Sequence, residues 1–168
     1  MGLYGGLYEI YRRLLDKYFD RRIRQSVSVD EWKWGCGGHF SYSDDIILPL
    51  KKGEPVTASN EEYVPEYSEK RISTLFLTPL IRKGRILAFI FTYDWRVLSP
   101  TTDYFESESW VVSRKPFKIK VRHNPAFSPD SDYEYEPWVE EIEAIVDGEV
   151  FNLMLKVYKE GRRSGKPA

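Results

Sequence analysis

Residues 71–98, RISTLFLTPLIRKGRILAFIFTYDWRVL, decide how the rest of the chain is read. Two runs rich in β-branched and aromatic residues flank Arg82-Lys83-Gly84-Arg85, the pattern of a hairpin closed by a glycine-containing turn. With Lys83-Gly84 as the turn, Ile81 is expected opposite Ile86, Leu77 opposite Ile90 and Phe76 opposite Phe91. Alternation then puts Leu75, Leu77, Ile81, Ile86 and Ile90 on one face, with Phe76, Leu80, Leu87, Phe89 and Phe91 on the other. A strand pair apolar on both faces must be covered on both. The hairpin is therefore expected in the middle of the protein, with packed layers above and below.

Outward from the hairpin, both ends of the chain carry a helical period. Leu3, Leu7, Ile10, Tyr11, Leu14, Leu15, Tyr18, Phe19 and Ile23 recur at i, i+3/i+4 spacing. This predicts an amphipathic helix over Leu3–Arg24, frayed at Gly5-Gly6. Arg21, Arg22 and Arg24 then fall in its last turns, where cations meet the negative end of the helix dipole. Towards the other end, Pro137 suits a first helical turn. Trp138, Ile142, Ile145, Val146, Val150, Met154, Leu155 and Tyr158 form a stripe that carries this helix to about Lys159, with Gly148 its weak point.

Between the helices the pattern is that of strands. Val27–Trp34 alternates, Gly35-Cys36-Gly37-Gly38 breaks it as a turn or bulge, and His39–Leu50 supplies one or two more strands. Lys51–Ser68 reads as a long polar connection holding Pro55, Pro65, Glu54, Glu61, Glu62 and Glu66. A loop that long carries either function or disorder. Ser99–Glu108 reads as a second polar loop, Trp110–Val121 as a strand broken at Pro116, and His123–Glu136 as loop. The fold class is α+β: an antiparallel sheet of about five to seven strands with an N-terminal and a C-terminal helix packed on it. The helices either take one face each, or share one and leave the other for a partner. Residues 1–160 form a single domain, and 161–168 a basic C-terminal tail.

Composition sets the outer bounds. At 168 residues, with 30% charged and 15% aromatic side chains, the chain buries a core without staples and is not disordered. The single cysteine, Cys36, excludes an internal disulfide framework and fits a reducing compartment. One glutamine, Gln25, and two methionines beside 51 charged residues (25 basic and 26 acidic) follow the trend of hyperthermophilic proteins. The start, MGLYGGLYEIYRR, lacks the order of a secretory signal. No apolar run approaches the roughly 20 residues of a membrane helix. A soluble protein of the cytoplasm or of a virion, with no membrane partner, is expected.

No cofactor motif is present: Gly35–Gly38 is too short for a phosphate-binding loop and lacks the Lys-Ser/Thr that would follow. Cys36 and His39 have C-x-x-H spacing, but a zinc site wants four ligands, and His123 is the only other histidine. No serine or cysteine stands in a nucleophile signature. Paired carboxylates such as Asp94 with Asp103 read as loop acids as readily as catalytic ones.

Charge order is the more informative feature. Asp130, Asp132, Glu134, Glu136, Glu140, Glu141, Glu143, Asp147 and Glu149 form an acidic run without lysine or arginine. Arg114, Lys115, Lys118, Lys120 and Arg122 form a basic run without acid. These runs either lie together inside the fold or make a bipolar surface that docks complementary charge. The expectation adopted is a non-enzymatic interaction or structural protein of a thermophile or its virus, self-associating through such surfaces. Its acidic contacts would be Glu134, Glu136, Glu140 and Glu141, and its basic contacts the Arg114–Arg122 run. The second expectation is a nucleic-acid-binding protein using that basic run and the first helix. The third is a small ligand-binding protein or enzyme with a pocket between sheet and helix.

Overall fold

The computed structural model describes residues 2–28, 46–47, 51–123 and 138–164. In chain order, α1 (Leu3–Tyr18) and a 3-10 turn (Phe19–Arg21) lead into β1 (Ile23–Ser28), β2 (Ile46–Ile47), β3 (Lys51–Lys52) and β4 (Val56–Val64). A second 3-10 turn (Pro65–Tyr67) precedes β5 (Glu69–Arg82), β6 (Arg85–Leu98), β7 (Asp103–Ser113) and β8 (Lys118–His123). Then come β9 (Trp138–Glu143), β10 (Ile145–Val146) and α2 (Gly148–Ser164).

The hairpin forms, and Lys83 and Gly84 close it with φ of 50° and 75°. Positive φ at both central residues matches the turn to the right-handed twist of the strands. Ile81 pairs with Ile86 as expected, but the register shifts between Leu80 and Ile81, so that Leu80 faces Ala88 and Leu87 is extra. Every later partner moves by one. Leu77 lies opposite Phe91 and Phe76 opposite Thr92, in place of Ile90 and Phe91. The bulge also changes faces: Phe89 and Phe91 join Leu75 and Leu77, while Ile90 joins Leu80, Leu87 and Ala88.

Around the hairpin the main sheet runs β1-β7-β6-β5 with antiparallel pairing. β3 and β4 share the outer side of β5, and β10 adds a short parallel pairing to the end of β7. Both helices lie on one face. Leu7, Ile10 and Leu14 of α1 and Val150, Phe151, Met154 and Val157 of α2 pack on Leu75, Leu77, Phe89, Phe91, Trp110 and Val112. On the opposite face, Leu80, Ala88, Ile90 and Val111 pack with Ile119 of β8 and Ala144, which follows β9. These belong to a three-stranded sheet, β2-β8-β9. The helices therefore share one face of the mostly antiparallel α+β sheet, and the small sheet lies against the other.

Several expected boundaries move for tertiary reasons. The first helix stops at Tyr18, whose carbonyl accepts the Trp110 indole N–H at 3.0 Å, and Ile23–Ser28 goes to the ladder with β7. The residues around Trp138 and Ile142 are strand, not helix, because β8 offers them a six-residue ladder. The second helix starts at Gly148, with Asp147 as its cap: Asp147 Oδ1 accepts the Val150 N–H at 3.0 Å. Both polar connections are largely strand: Lys51–Ser68 supplies β3 and β4, and Ser99–Glu108 supplies the start of β7. Pro116 does separate β7 from β8.

Two glycines have packing reasons. Gly6 is not a frayed end, since a β-carbon there would lie 3.1 Å from Val157 Cγ2, where the helices cross. Gly161, expected in the tail, lies inside α2; a β-carbon there would meet Val56 Cγ1 at 2.9 Å and Leu3 Cδ1 at 3.0 Å. Gly161→Ala should therefore lower stability by about 1 kcal/mol in denaturant unfolding, because overpacking outweighs the better helix propensity of alanine. Lys83→Asn should raise stability by about 0.5–1 kcal/mol, since asparagine tolerates positive φ better than lysine.

Candidate interaction surface

β4, VTASNEEYV, folds as a strand along the side of β5 that β6 leaves open. It pairs antiparallel from Val56 opposite Leu77 to Val64 opposite Glu69. The edge is interrupted before it begins: Gly53 N–H donates to the Pro79 carbonyl at 2.9 Å. Pro79 has no N–H to return, so a break in the ladder fits there. Val56 is buried beneath the helices, and Ala58 packs partly against the same cluster. Beyond Ala58 the strand passes out of their cover, and residues 59–63 are exposed.

Among the described residues β4 pairs only with β5, so its outer side is an open sheet edge. Such an edge presents a row of backbone donors and acceptors. Tyr63 and Tyr67 stand at its far end, 62% and 64% exposed, more than any other large hydrophobic side chain described. The chain turns between them through Pro65–Tyr67, with Ser68 left-handed at φ 47°. Glu61 pairs with Lys70 at 3.3 Å, and Glu69 with Arg71 at 2.6 Å. Glu62 and Glu66 are exposed nearby. Glu61, Glu62, Glu66 and Glu69 thus outnumber Lys70 and Arg71, and this end of the sheet is net acidic.

Behind the edge, polar anchors hold α1 in place. Glu108 is 6% exposed on the sheet; it accepts the Tyr11 hydroxyl at 3.1 Å and an Arg22 N–H at 3.2 Å. Tyr11 also stacks on Tyr93 with ring centroids 4.4 Å apart. Burial, followed by the charge of Glu108, pushes the Tyr11 hydroxyl well above its ordinary 10.0. At the far end of the helix, Tyr18 donates to Asp147 Oδ2 at 2.5 Å. Burial works to raise the Asp147 pKa, but the bonds from Tyr18 and the Val150 N–H, with Lys17 nearby, bring it below the usual 3.8. Arg21 donates to the Glu143 carbonyl at 3.0 Å. Arg21 and Arg22 are tertiary links beyond the helix end, not dipole partners within it.

The residues singled out by charge order fall as follows. β8 pairs with β9 so that Lys118 is opposite Glu143 and Lys120 opposite Glu141, while Arg122 faces Val139 and Glu140 faces Val121. Arg114 turns to α2, donating to Asn152 with its guanidinium 4.8 Å above the Phe151 ring. Lys115 is exposed, and its carbonyl accepts the Ser113 hydroxyl. Glu134, Glu136, Cys36 and His39 lie outside the described residues. Asp103 accepts two bonds from Arg96, at 3.0 and 2.9 Å, and Asp94 accepts the Ser107 hydroxyl at 2.7 Å. Among the described residues no three potential metal ligands cluster, and no helix is long and apolar enough to cross a membrane. Sequence reasoning missed the β4 edge by reading it as loop; the alternation of Val56 and Ala58, resumed at Val64, was its faint signal.

No family model, curated protein or solved structure matches the chain.

The anchors predict opposite responses to acid and alkali. Asp147, with its lowered pKa, contributes stability that is present above 3.8 and lost as pH falls towards its folded value. Asp147→Asn keeps a capping side chain and should flatten the acid limb of a stability–pH curve. Tyr11, with its raised pKa, contributes stability that is lost as pH rises above 10.0, because only the unfolded hydroxyl ionises there. Tyr11→Phe should flatten the alkaline limb, measured by urea unfolding across pH.

Proposed function

We propose that the protein is a non-enzymatic interaction protein that works by taking partner backbone onto the open edge of its main sheet. The observation that carries this reading is β4, a nine-residue strand laddered to β5 on one side, exposed from Ser59 to Tyr63 and with the exposed tyrosines Tyr63 and Tyr67 at its far end. An added strand gains affinity from main-chain hydrogen bonds and specificity from side chains. Tyrosine suits such a surface, since its ring offers contact area at low entropic cost and its hydroxyl stays wet. A charge-rich, glutamine-poor composition supports an origin in a thermophile or its virus. The nucleic-acid reading draws less support, because Lys118 and Lys120 face carboxylates across the ladder and Arg114 is engaged with α2.

Self-association is expected in a weak and particular form. In a full-overlap antiparallel pairing of two β4 strands centred on Asn60, each Glu61 lies diagonal to its own copy, at about 7–8 Å. That spacing is inside the Debye length of about 10 Å at 0.1 M salt and outside that of about 3 Å at 1 M. Light scattering should therefore find the 19.8 kDa monomer at low salt and association as salt rises, with no response to a mixed DNA and RNA pool. Proline placed in turn at Ser59 and Asn60 provides the backbone control. Successive residues of an antiparallel strand point their N–H groups alternately inward and outward. One substitution should leave stability near wild type and abolish association. A mass that shifts only with nucleic acid would replace this reading with the nucleic-acid one.

A further inference from the structure

We propose that the occupant of the β4 edge is an extended segment of a partner protein bearing two adjacent basic residues, seated opposite Glu61 and Glu62. This deepens the reading of β4 as the working edge and rests on it. Glu61 and Glu62 are neighbours in the strand, so their side chains leave on opposite faces of the sheet. Residues directly opposite on an added strand share faces with them. A dibasic pair therefore places one cation on each face, each beside a carboxylate. Lysine or arginine at alternate positions would instead put both cations on one face and leave one glutamate unanswered.

The surroundings favour cations further. Glu66 follows in the turn, and the cations of β5 are shared among carboxylates: Lys70 pairs with Glu61, while Arg71, opposite Glu62 in the ladder, pairs with Glu69. Lys70 and Glu61 are both largely exposed, so their pair is weak enough for a partner cation to share the carboxylate. Tyr63, next along the edge, offers an exposed ring to an apolar residue beside the dibasic pair. A second copy of this chain, paired in the register centred on Asn60, sets Ser59 and Ala58 opposite Glu61 and Glu62, brings a further Glu61 diagonal to the first, and lacks this match. The segment is thus β-forming and apolar on the side of its basic pair that meets Tyr63.

The test uses the full chain and labelled peptides that read the same in both directions, so that parallel and antiparallel addition are equally sampled. Thr-Val-Lys-Lys-Val-Thr is the probe; Thr-Val-Thr-Thr-Val-Thr and Thr-Val-Glu-Glu-Val-Thr are the controls. Fluorescence anisotropy reports affinity, and hydrogen exchange reports which amides are covered. The basic peptide should bind about tenfold more tightly than the neutral one, and the advantage should shrink as salt rises. Alternate amides of β4 should gain protection, and Glu61→Gln with Glu62→Gln should remove the advantage without changing protection by the neutral peptide. Both glutamates are exposed, so the variant folds, which far-UV circular dichroism verifies. Equal binding of the basic and neutral peptides would overturn the basic partner and leave the edge reading intact. Protection of β4 by none of the three would overturn both. A tight low-salt dimer protected at β4 would overturn the basic partner by naming a second copy as the occupant.

Discussion

The β5–β6 hairpin is apolar on both faces, and that constraint organises everything else. Its two faces are unequal because Leu87 is an extra residue. The bulge gathers Phe89 and Phe91 with Leu75, Leu77 and Trp110 on one side, leaving Leu80, Ala88, Ile90 and Val111 on the other. The face with the large rings takes two helices. The face of smaller side chains takes a three-stranded sheet through Ile119 and Ala144. Each fully buried large side chain contributes roughly 1.5–3 kcal/mol relative to exposure. Both layers are thus required by the same strand pair.

Close approach and buried polar bonds fix the helices on that surface. Gly6 and Gly161 bring α1, α2 and β4 together near Val157, Leu3 and Val56. Tyr11 and Arg22 bind Glu108, and Tyr18 binds the Asp147 that caps α2. The two helices are therefore locked to each other and to one region of the sheet. Strands of 14 residues outrun the helices that cross them, and the surplus length of β5 is what β4 pairs with beyond Ala58. Among the described residues no further strand pairs with β4, which leaves its outer edge open.

Charge is redistributed by folding. Parts of the acidic and basic runs meet as β8 and β9, where Lys118 faces Glu143 and Lys120 faces Glu141. Opposite charges across a ladder support pairing and leave less field to reach outward. Among the described residues, Glu61, Glu62 and Glu66 form a further acidic group around β4. Those residues carry no unusual local pattern, and only the ladder shows that they border an edge.

The sequence by itself determined the hairpin, its turn at Lys83-Gly84, the α+β class and the two terminal helices, because these rest on local periods and turn chemistry. It also exposed the double apolar character of residues 75–91, from which two covering layers follow. Tertiary structure decided the rest. The bulge at Leu87 is set by which side chains fill the layers above and below, which no local period records. Trp138–Glu143 carries a helical stripe yet is strand, because a ladder with β8 pairs its backbone and sets Glu141 and Glu143 opposite lysines. Val56–Val64 looks like loop because one end is buried and the other wet, so no single period spans it. An edge strand is defined by what is missing beside it, and that is a property of neighbours distant in sequence.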